Sequence, residues 1–378
     1  MASRKTPFYD LGLARGADMR ELFGYWLPWE YAEGHVEEHK ATRERASLCD
    51  LDYMAEFKIL GPQALDFVQN LFTNDFRTLP IGGVKYTAMC NHDGRMVDDG
   101  TVWRFGDDEF LYISGDEADY AWIAEQASEF EISVDNVTDA WTTLALQGPD
   151  AYSILQPLVS CDLRGLGYYR FFRSAVGNTD CVIARVGYTG EFGYELHFRP
   201  EGAAAVWHAV MSAGEDRQIA PCGQAALESL RQEAGYLLVG NDHNKTTNPV
   251  EAGIVWTIAF EKDRFNGRDS LLEILDSGVS RKMVWLKLES DAQASDGDAI
   301  ALPGGRKIGE VTSGSYSPTS TCGVAMGYVD SRHAIHRVKC EVVVQGENER
   351  ATLHVMPLYD PGDLRSKSRL DGVSAESK

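Results

Sequence analysis

The chain has 378 residues, 44% of them apolar, with 57 acidic against 36 basic side chains and a formal net charge of −21. Such a length supplies cores for two or three domains, and the composition excludes disorder as the default away from the ends. The negative charge disfavours nucleic acid and anionic membranes as partners, and leaves a local ligand pocket open.

In chain order, an aromatic stretch at Phe23–Tyr31 precedes a charged helix over Glu37–Arg45. On that helix Glu37, Glu38 and Arg43–Arg45 are expected on a wet face, with Ala41 and Leu48 inward. Met54–Leu60 alternates as a strand, and Gly61-Pro opens a helix holding Phe67, Val68 and Leu71. Lys85–Asn91 and Met96–Phe105 read as a hairpin turned at His92-Asp-Gly94. A strand at Glu109–Ser114 and a helix at Asp119–Phe130 complete an α+β module. A second αβ section follows: a strand at Thr142–Leu146, a helix after Gly148-Pro149, and strands at Cys181–Arg185 and Tyr194–Phe198. Helices are expected over Ala203–Ala213 and Ala225–Glu233, the latter ended by Gly235. Beyond Leu272, five strand-like runs between Gly/Pro/Ser turns read as an all-β domain. The tail from Ser366 is expected to be loosely held.

The seven cysteines are odd in number and scattered, so reduced thiols fit better than a disulfide framework or a metal site. The basic start has no apolar core of a signal peptide, and no run approaches a membrane span; a cytoplasmic protein is the expectation.

Chemistry narrows the candidates. His35 and His39 stand four apart, but the stretch reads HVEEH rather than HExxH, so a solvent-facing pair is preferred over a metal site. His243, beside Asp242, is a better local candidate, although a lone His–Asp pair in a loop is commonly just a hydrogen bond. Gly187-Tyr-Thr-Gly-Glu-Phe-Gly193 lacks the ending of a phosphate loop and leads into a strand, so it reads as a turn displaying Tyr188 and delivering Glu195. Asp98 and Asp99 are the sharpest pair. In a regular strand they face opposite sides and cannot form a close dyad. From composition alone a structural role for them stands ahead of catalysis.

Taken together, ordered motifs along nearly the whole chain resemble the aminomethyltransferase family. Its founder is the T-protein of the glycine cleavage system, and it includes folate-dependent demethylases. The motifs are Phe23-Gly-Tyr-Trp-Leu-Pro28, Glu38-His-Lys-Ala-Thr-Arg43, Phe72-Thr-Asn-Asp75, Tyr86 with Gly94…Asp98-Asp99, Leu146-Gln-Gly-Pro149 and Tyr168-Tyr-Arg-Phe171. They continue through Gly187…Glu195, Ser229-Leu-Arg-Gln-Glu-Ala-Gly235, Gly240-Asn-Asp242, Pro249-Val-Glu-Ala-Gly253, Phe265-Asn-Gly-Arg268 and Val311-Thr-Ser-Gly314.

The resemblance implies an α+β, three-domain cloverleaf-like ring around a central folate cavity, with a C-terminal β-barrel-like domain. The expected division is residues 1–50 plus 136–271, 51–135, and 272–378. Tetrahydrofolate is the implied cofactor. Asp98 corresponds to the family's catalytic aspartate and Glu195 to its pterin-binding glutamate. Tyr86, Tyr168, Tyr188, Gln224 and Arg231 are the other implied folate contacts. Three departures cluster at the expected site: Gln224 stands for an arginine, Tyr53 for a histidine, and His243 follows Gly-Asn-Asp where the family has isoleucine.

Those departures favour a demethylase that moves a methyl group from a small methylated donor to N5 of tetrahydrofolate, with no metal. Trp26, Trp29, Tyr53 and His243 would line the donor pocket, aromatic rings suiting a cationic methyl group. The alternative is aminomethyl transfer from a lipoylated carrier protein, yielding ammonia and 5,10-methylenetetrahydrofolate. A third is a non-catalytic folate-binding maintenance protein. Monomer and homodimer are both compatible with the sequence.

Overall fold

The computed structural model describes residues 3–368, which divide into two compact units. One comprises the chain up to Tyr53, Asp139–Ala234 and the stretch from Tyr359. The other comprises Met54–Thr138 and Gly235–Leu358.

The first unit is built on a six-stranded sheet. Its spatial order is Phe171–Val176, Thr179–Ala184, Gly193–Phe198, Thr142–Gln147, Ser47–Asp50 and Ala220–Cys222. All pairs are antiparallel except the last. Leu48, Leu144, Leu146, Ile183 and Leu196 bury one face against Trp207 and Val210 of the Ala203–Ala213 helix. A small sheet pairs Tyr25–Glu30 with Arg4–Lys5 and Asp18–Leu22, so the aromatic N-terminal stretch is a strand.

The charged helix, His35–Glu44, departs from expectation. Glu38, His39 and Arg43 are buried rather than wet. Buried charge requires partners, and each has them. Glu38 accepts the N–H groups of Tyr31 at 2.5 Å and Gly223 at 2.7 Å. Arg43 pairs with Glu233 at 2.9 Å and Glu191 at 3.3 Å, and donates to the Thr189 carbonyl at 2.7 Å. His39 lies 2.7 Å from Ser229 Oγ. The solvent-facing histidine pair is thereby corrected: His35 is half-buried and bonded to Glu30, and His39 is enclosed. The tail expectation falls mainly on residues 369–378, outside the described residues. Its first part is held, since Arg185 donates to the carbonyls of Ser366, at 2.9 Å, and Ser368.

The second unit opens with a five-stranded antiparallel sheet. Its order is Val84–Cys90, Met96–Arg104, Glu109–Ser114, Ala55–Leu60 and Ser133–Asn136. Phe57, Val102 and Tyr112 bury one face against Phe67 and Leu71 of the Ala64–Leu71 helix. The C-terminal strands, Arg281–Leu288 through Glu347–His354, close into a six-stranded barrel. Alternation along Val338–Val344 puts Cys340, Val342 and Val344 inside, as the period-two pattern dictates. A further core of Cys90, Met96, Leu237, Phe265, Leu271, Trp285 and Met326 packs the hairpin and barrel strands together through the intervening Gly235–Ser277 stretch. The fold is α+β with mixed sheets and a closed barrel.

Two glycines shape the hairpin. Gly94 turns it with φ +70°, a conformation a side chain strains to adopt. Gly100 follows the acidic pair, and a Cβ there would meet the Ile113 carbonyl oxygen at 2.2 Å and the Tyr112 ring at 2.8 Å. Gly100→Ala therefore has to push strands apart. It should cost about 1–3 kcal/mol in urea unfolding, and an unchanged midpoint would show that the sheet yields there without strain.

Candidate active site

The hairpin that carries Asp98 is irregular where it matters. Met89 pairs with Asp98 but Cys90 pairs with Met96, so Val97 is an extra residue in the ladder. Such a bulge twists the strand and re-aims its side chains. The turn below it is fixed by Asn91, whose Oδ1 accepts the N–H groups of Asp93 and Arg95.

Asp98 is 1% exposed. Its Oδ1 accepts the Asp99 N–H at 2.7 Å and its Oδ2 the Gly115 N–H at 3.3 Å. The Asp99 carboxylate is held on both sides: Tyr86 Oη donates to Oδ2 at 2.6 Å, and His243 Nε2 lies 2.5 Å from Oδ1. The same ring nitrogen is 3.8 Å from Asp98 Oδ1. Asp98 and Asp99 themselves pair in regular register, with Met89 and Ala88, and the His243 ring nitrogen approaches both carboxylates, Asp99 closely and Asp98 at a distance.

Burial drives the Asp98 carboxyl well above the ordinary carboxylate range, and the neighbouring Asp119 and Asp99 add to it. Asp119, at the start of the Asp119–Ala127 helix, is hydrogen-bonded to Asp98 and accepts from Ser114 Oγ at 2.9 Å. Burial pushes Asp119 up to about 6, opposed by its bonds to Asp98 and Ser114. Two buried carboxyls in contact share a proton rather than both ionise. Asp119 was not anticipated from the sequence, where an acid in a first helical turn reads as ordinary helix-dipole compensation.

His243 is aimed by its loop. The adjacent Asp242 does not pair with it. Instead Asp242 Oδ1 accepts from Thr312 Oγ1 at 2.5 Å and Ser313 Oγ at 2.8 Å, and the Asp242 carbonyl accepts from Tyr328 Oη at 2.7 Å. Two motifs distant in sequence, Gly240-Asn-Asp242 and Val311-Thr-Ser-Gly314, therefore meet on the barrel wall. The donor atoms of Asp98, Asp99 and His243 lie within 4.8 Å of one another. Two ligands on one ion at bond lengths of about 2.0–2.2 Å stand about 3 Å apart. The 2.5 Å His243–Asp99 separation is the spacing of a shared proton instead.

The other anticipated residues lie in the first unit. Glu195, partly exposed on the Gly193–Phe198 strand, has His197 Nε2 3.4 Å from its Oε2. Its neighbouring loop is tied down by Gln147, which donates to the Val186 carbonyl and accepts from Thr189 Oγ1. Tyr188 is half-buried on that loop, and Tyr168 packs edge-on against Tyr169. Gln224 Nε2 donates to the Asp50 carbonyl at 3.2 Å. Arg231 is buried with its guanidinium on Glu228. Tyr53 stacks on Phe23 at 4.9 Å, Arg20 lies 4.6 Å over the Trp29 ring, and Trp26 is half-buried in the N-terminal sheet.

With this geometry in view, the comparisons with known proteins are direct. The family model described as GCVT N-terminal domain matches residues 8–262, and that of the glycine cleavage T-protein C-terminal barrel domain matches residues 281–360. The chain belongs to the glycine cleavage T-protein family. It is 40% identical over 329 residues to an aminomethyltransferase of Halothermothrix orenii, covering 86% of this chain and 91% of that one. An aminomethyltransferase of Moorella thermoacetica is 38% identical, covering 94% and 98%. The crystal structure of glycine cleavage system aminomethyltransferase T from Bartonella henselae superposes with a TM-score of 0.88 at 30% identity, covering 95% and 98%. The protein is an enzyme of this family's tetrahydrofolate-dependent one-carbon transferase type, which sets aside the non-catalytic alternative. Among the described residues, no helix is long and apolar enough to cross a membrane.

Near Gln224, burial pushes Asp50 up to about 6, and burial together with the Asp50 charge pushes Asp52 up to about 8. Folded Asp52 thus keeps a proton that the unfolded chain releases near pH 4, the ordinary aspartate range. Between those values the native state binds more protons, so stability falls as pH rises. Asp52→Asn should flatten that decline between about pH 5 and pH 8 in urea unfolding; parallel slopes for the two proteins would exclude this assignment.

Proposed function

We propose that the protein is an aminomethyltransferase. It accepts the aminomethyl group carried on the reduced lipoyl arm of a carrier protein, releases ammonia, and forms 5,10-methylenetetrahydrofolate. The observation that carries this reading is the Asp98 carboxyl, buried, proton-holding and built into contacts with Asp99, Asp119 and His243. The relatives that bear the aminomethyltransferase name, matched along nearly the whole chain, move the weight away from the methyl-transfer reading that the sequence alone favoured.

Each unit carries residues of a type suited to a reduced folate. Glu195 offers a partly exposed carboxylate, able to accept two N–H bonds from an aminopyrimidine amide edge. The Tyr86 ring stacks on the exposed Trp256 at 5.5 Å, giving an apolar surface suited to a flat heterocycle. Tetrahydrofolate, when bound, supplies the two nitrogens that take the one-carbon unit. Asp98 exchanges the proton: the C–N and C–S bonds of the aminomethyl group break as two C–N bonds to folate form, and of the two folate N–H hydrogens one leaves with the nitrogen as ammonia and the other restores the lipoyl thiol. Both transfers call for a carboxyl that is not permanently ionised, which burial beside Asp119 provides.

Methyl transfer to N5 from a small methylated donor is the second reading, favoured by Gln224, Tyr53 and His243 standing where the family pattern has other residues. Product analysis separates the two. Incubation with aminomethyl-loaded carrier and tetrahydrofolate should release ammonia in step with 5,10-methylenetetrahydrofolate. Formation of 5-methyltetrahydrofolate from sulfonium, methylamine or methoxy donors, with no ammonia from loaded carrier, would overturn the proposal. Asp98→Asn should lower kcat by about 10²–10⁴-fold while the urea midpoint stays near that of the parent. Matched losses of folded protein and turnover would make Asp98 structural.

A further inference from the structure

Of two adjacent carboxylates on one strand, only one is left able to exchange a proton. We propose that His243 is a positioning residue that occupies Asp99, together with Tyr86, and so leaves Asp98 as the exchanging group. The proposal rests on Asp98 serving the reaction proposed above.

Both oxygens of Asp99 face a proton donor, His243 Nε2 at 2.5 Å and Tyr86 Oη at 2.6 Å. Two side-chain donors thus occupy Asp99, one on each oxygen, and fix its orientation. Asp98 is bonded differently: it takes one short backbone bond, one of 3.3 Å and the contact with Asp119, and the His243 ring nitrogen stands farther off, at 3.8 Å.

The tautomer follows from burial. His243 is 1% exposed, and its Nδ1 has no hydrogen-bond partner among the described residues. A proton on Nδ1 would be a buried, unpaired donor, at a cost of about 1–3 kcal/mol. A proton on Nε2 instead points at Asp99 and leaves no buried donor unpaired. The ring is also held in place. Gly240 N–H bonds to the His243 carbonyl at 2.9 Å, and Asp242 is fixed to Thr312, Ser313 and Tyr328.

The groups facing the pair come from every neighbouring element. They are Tyr86 from the Val84–Cys90 strand, Tyr112 and Ser114 from Glu109–Ser114, Asp119 with Asp116 nearby from the helix start, and His243 from its loop.

Infrared difference titration of the full chain reads the outcome without substrate. Asp98→Asn identifies the carboxylic C=O band of Asp98 near neutral pH. His243→Leu should add a second carboxylic band, from Asp99, which disappears when Asp99→Asn is combined with it. His243→Gln, which restores an N–H donor near the Nε2 position, should show no second band. In turnover, His243→Leu should lower kcat about tenfold with KM for tetrahydrofolate within about twofold, and add an ionisation to the pH profile, with His243→Gln recovering most of both. A His243→Leu spectrum identical to the parent, or equal losses in the Leu and Gln variants with an unchanged pH profile, would overturn the proposal. Failure of the aminomethyl reading would appear separately, as absence of ammonia release by the parent protein.

Discussion

A carboxylate inside a sheet is the constraint around which the second unit is arranged. An ionised Asp98 at 1% exposure would forfeit its hydration, a cost that backbone hydrogen bonds alone offset only in part. No arginine or lysine ion pair to Asp98 is present among the described residues; the imidazole of His243 is the cationic-capable group near it. The protein therefore settles the charge with a proton. Asp119 shares it, while the neighbouring Asp99 carboxylate is bonded on both oxygens, by Tyr86 and His243. Four separate segments supply this arrangement: the hairpin, its neighbouring strand, a helix start and the loop after Leu237.

The barrel enters the chemistry through that loop. Its own interior is an aliphatic core with no candidate catalytic group, so its contribution is mechanical. Thr312, Ser313 and Tyr328 project from two barrel strands and hold Asp242, and the residue after Asp242 is the one that reaches Asp99. A ring placed to within hydrogen-bonding tolerance needs such support, because a mobile loop would spend most of its time outside the 2.5 Å contact. The shared apolar core of Met96, Leu237, Trp285 and Met326 makes the hairpin and barrel parts of one packed body, so the support is stiff.

Much of this architecture was legible because local rules coincide with tertiary ones. Val338–Val344 alternates and does so in the barrel; Gly94 turns the hairpin; Ala203–Ala213 is a helix with the expected limits. The failures share a cause. The charges of His35–Glu44 read as a wet face, because their partners Glu191, Gly223 and Glu233 lie far away in the chain. Asp119 read only as the start of a helix, because the carboxylate it meets, Asp98, lies on a separate strand. The ring that reaches Asp98 and Asp99 comes from a loop 144 residues beyond Asp99, and the one-residue bulge at Val97 leaves no mark in composition. Pairing between distant charges and ladder irregularity are properties of the fold, and no window of sequence contains them.

Gln224 fits the same economy of charge in the first unit. Arg231 is already neutralised by Glu228, and Gln224 donates an uncharged N–H to the Asp50 carbonyl. Burial pushes Asp50 and Asp52 upward in that neighbourhood, Asp52 to about 8 with Arg4 opposing. An arginine at position 224 would add a buried positive charge beside Asp50 and favour ionisation of both carboxyls. Glutamine and a proton-holding Asp52 are thus compatible in a way that arginine and a proton-holding Asp52 are not.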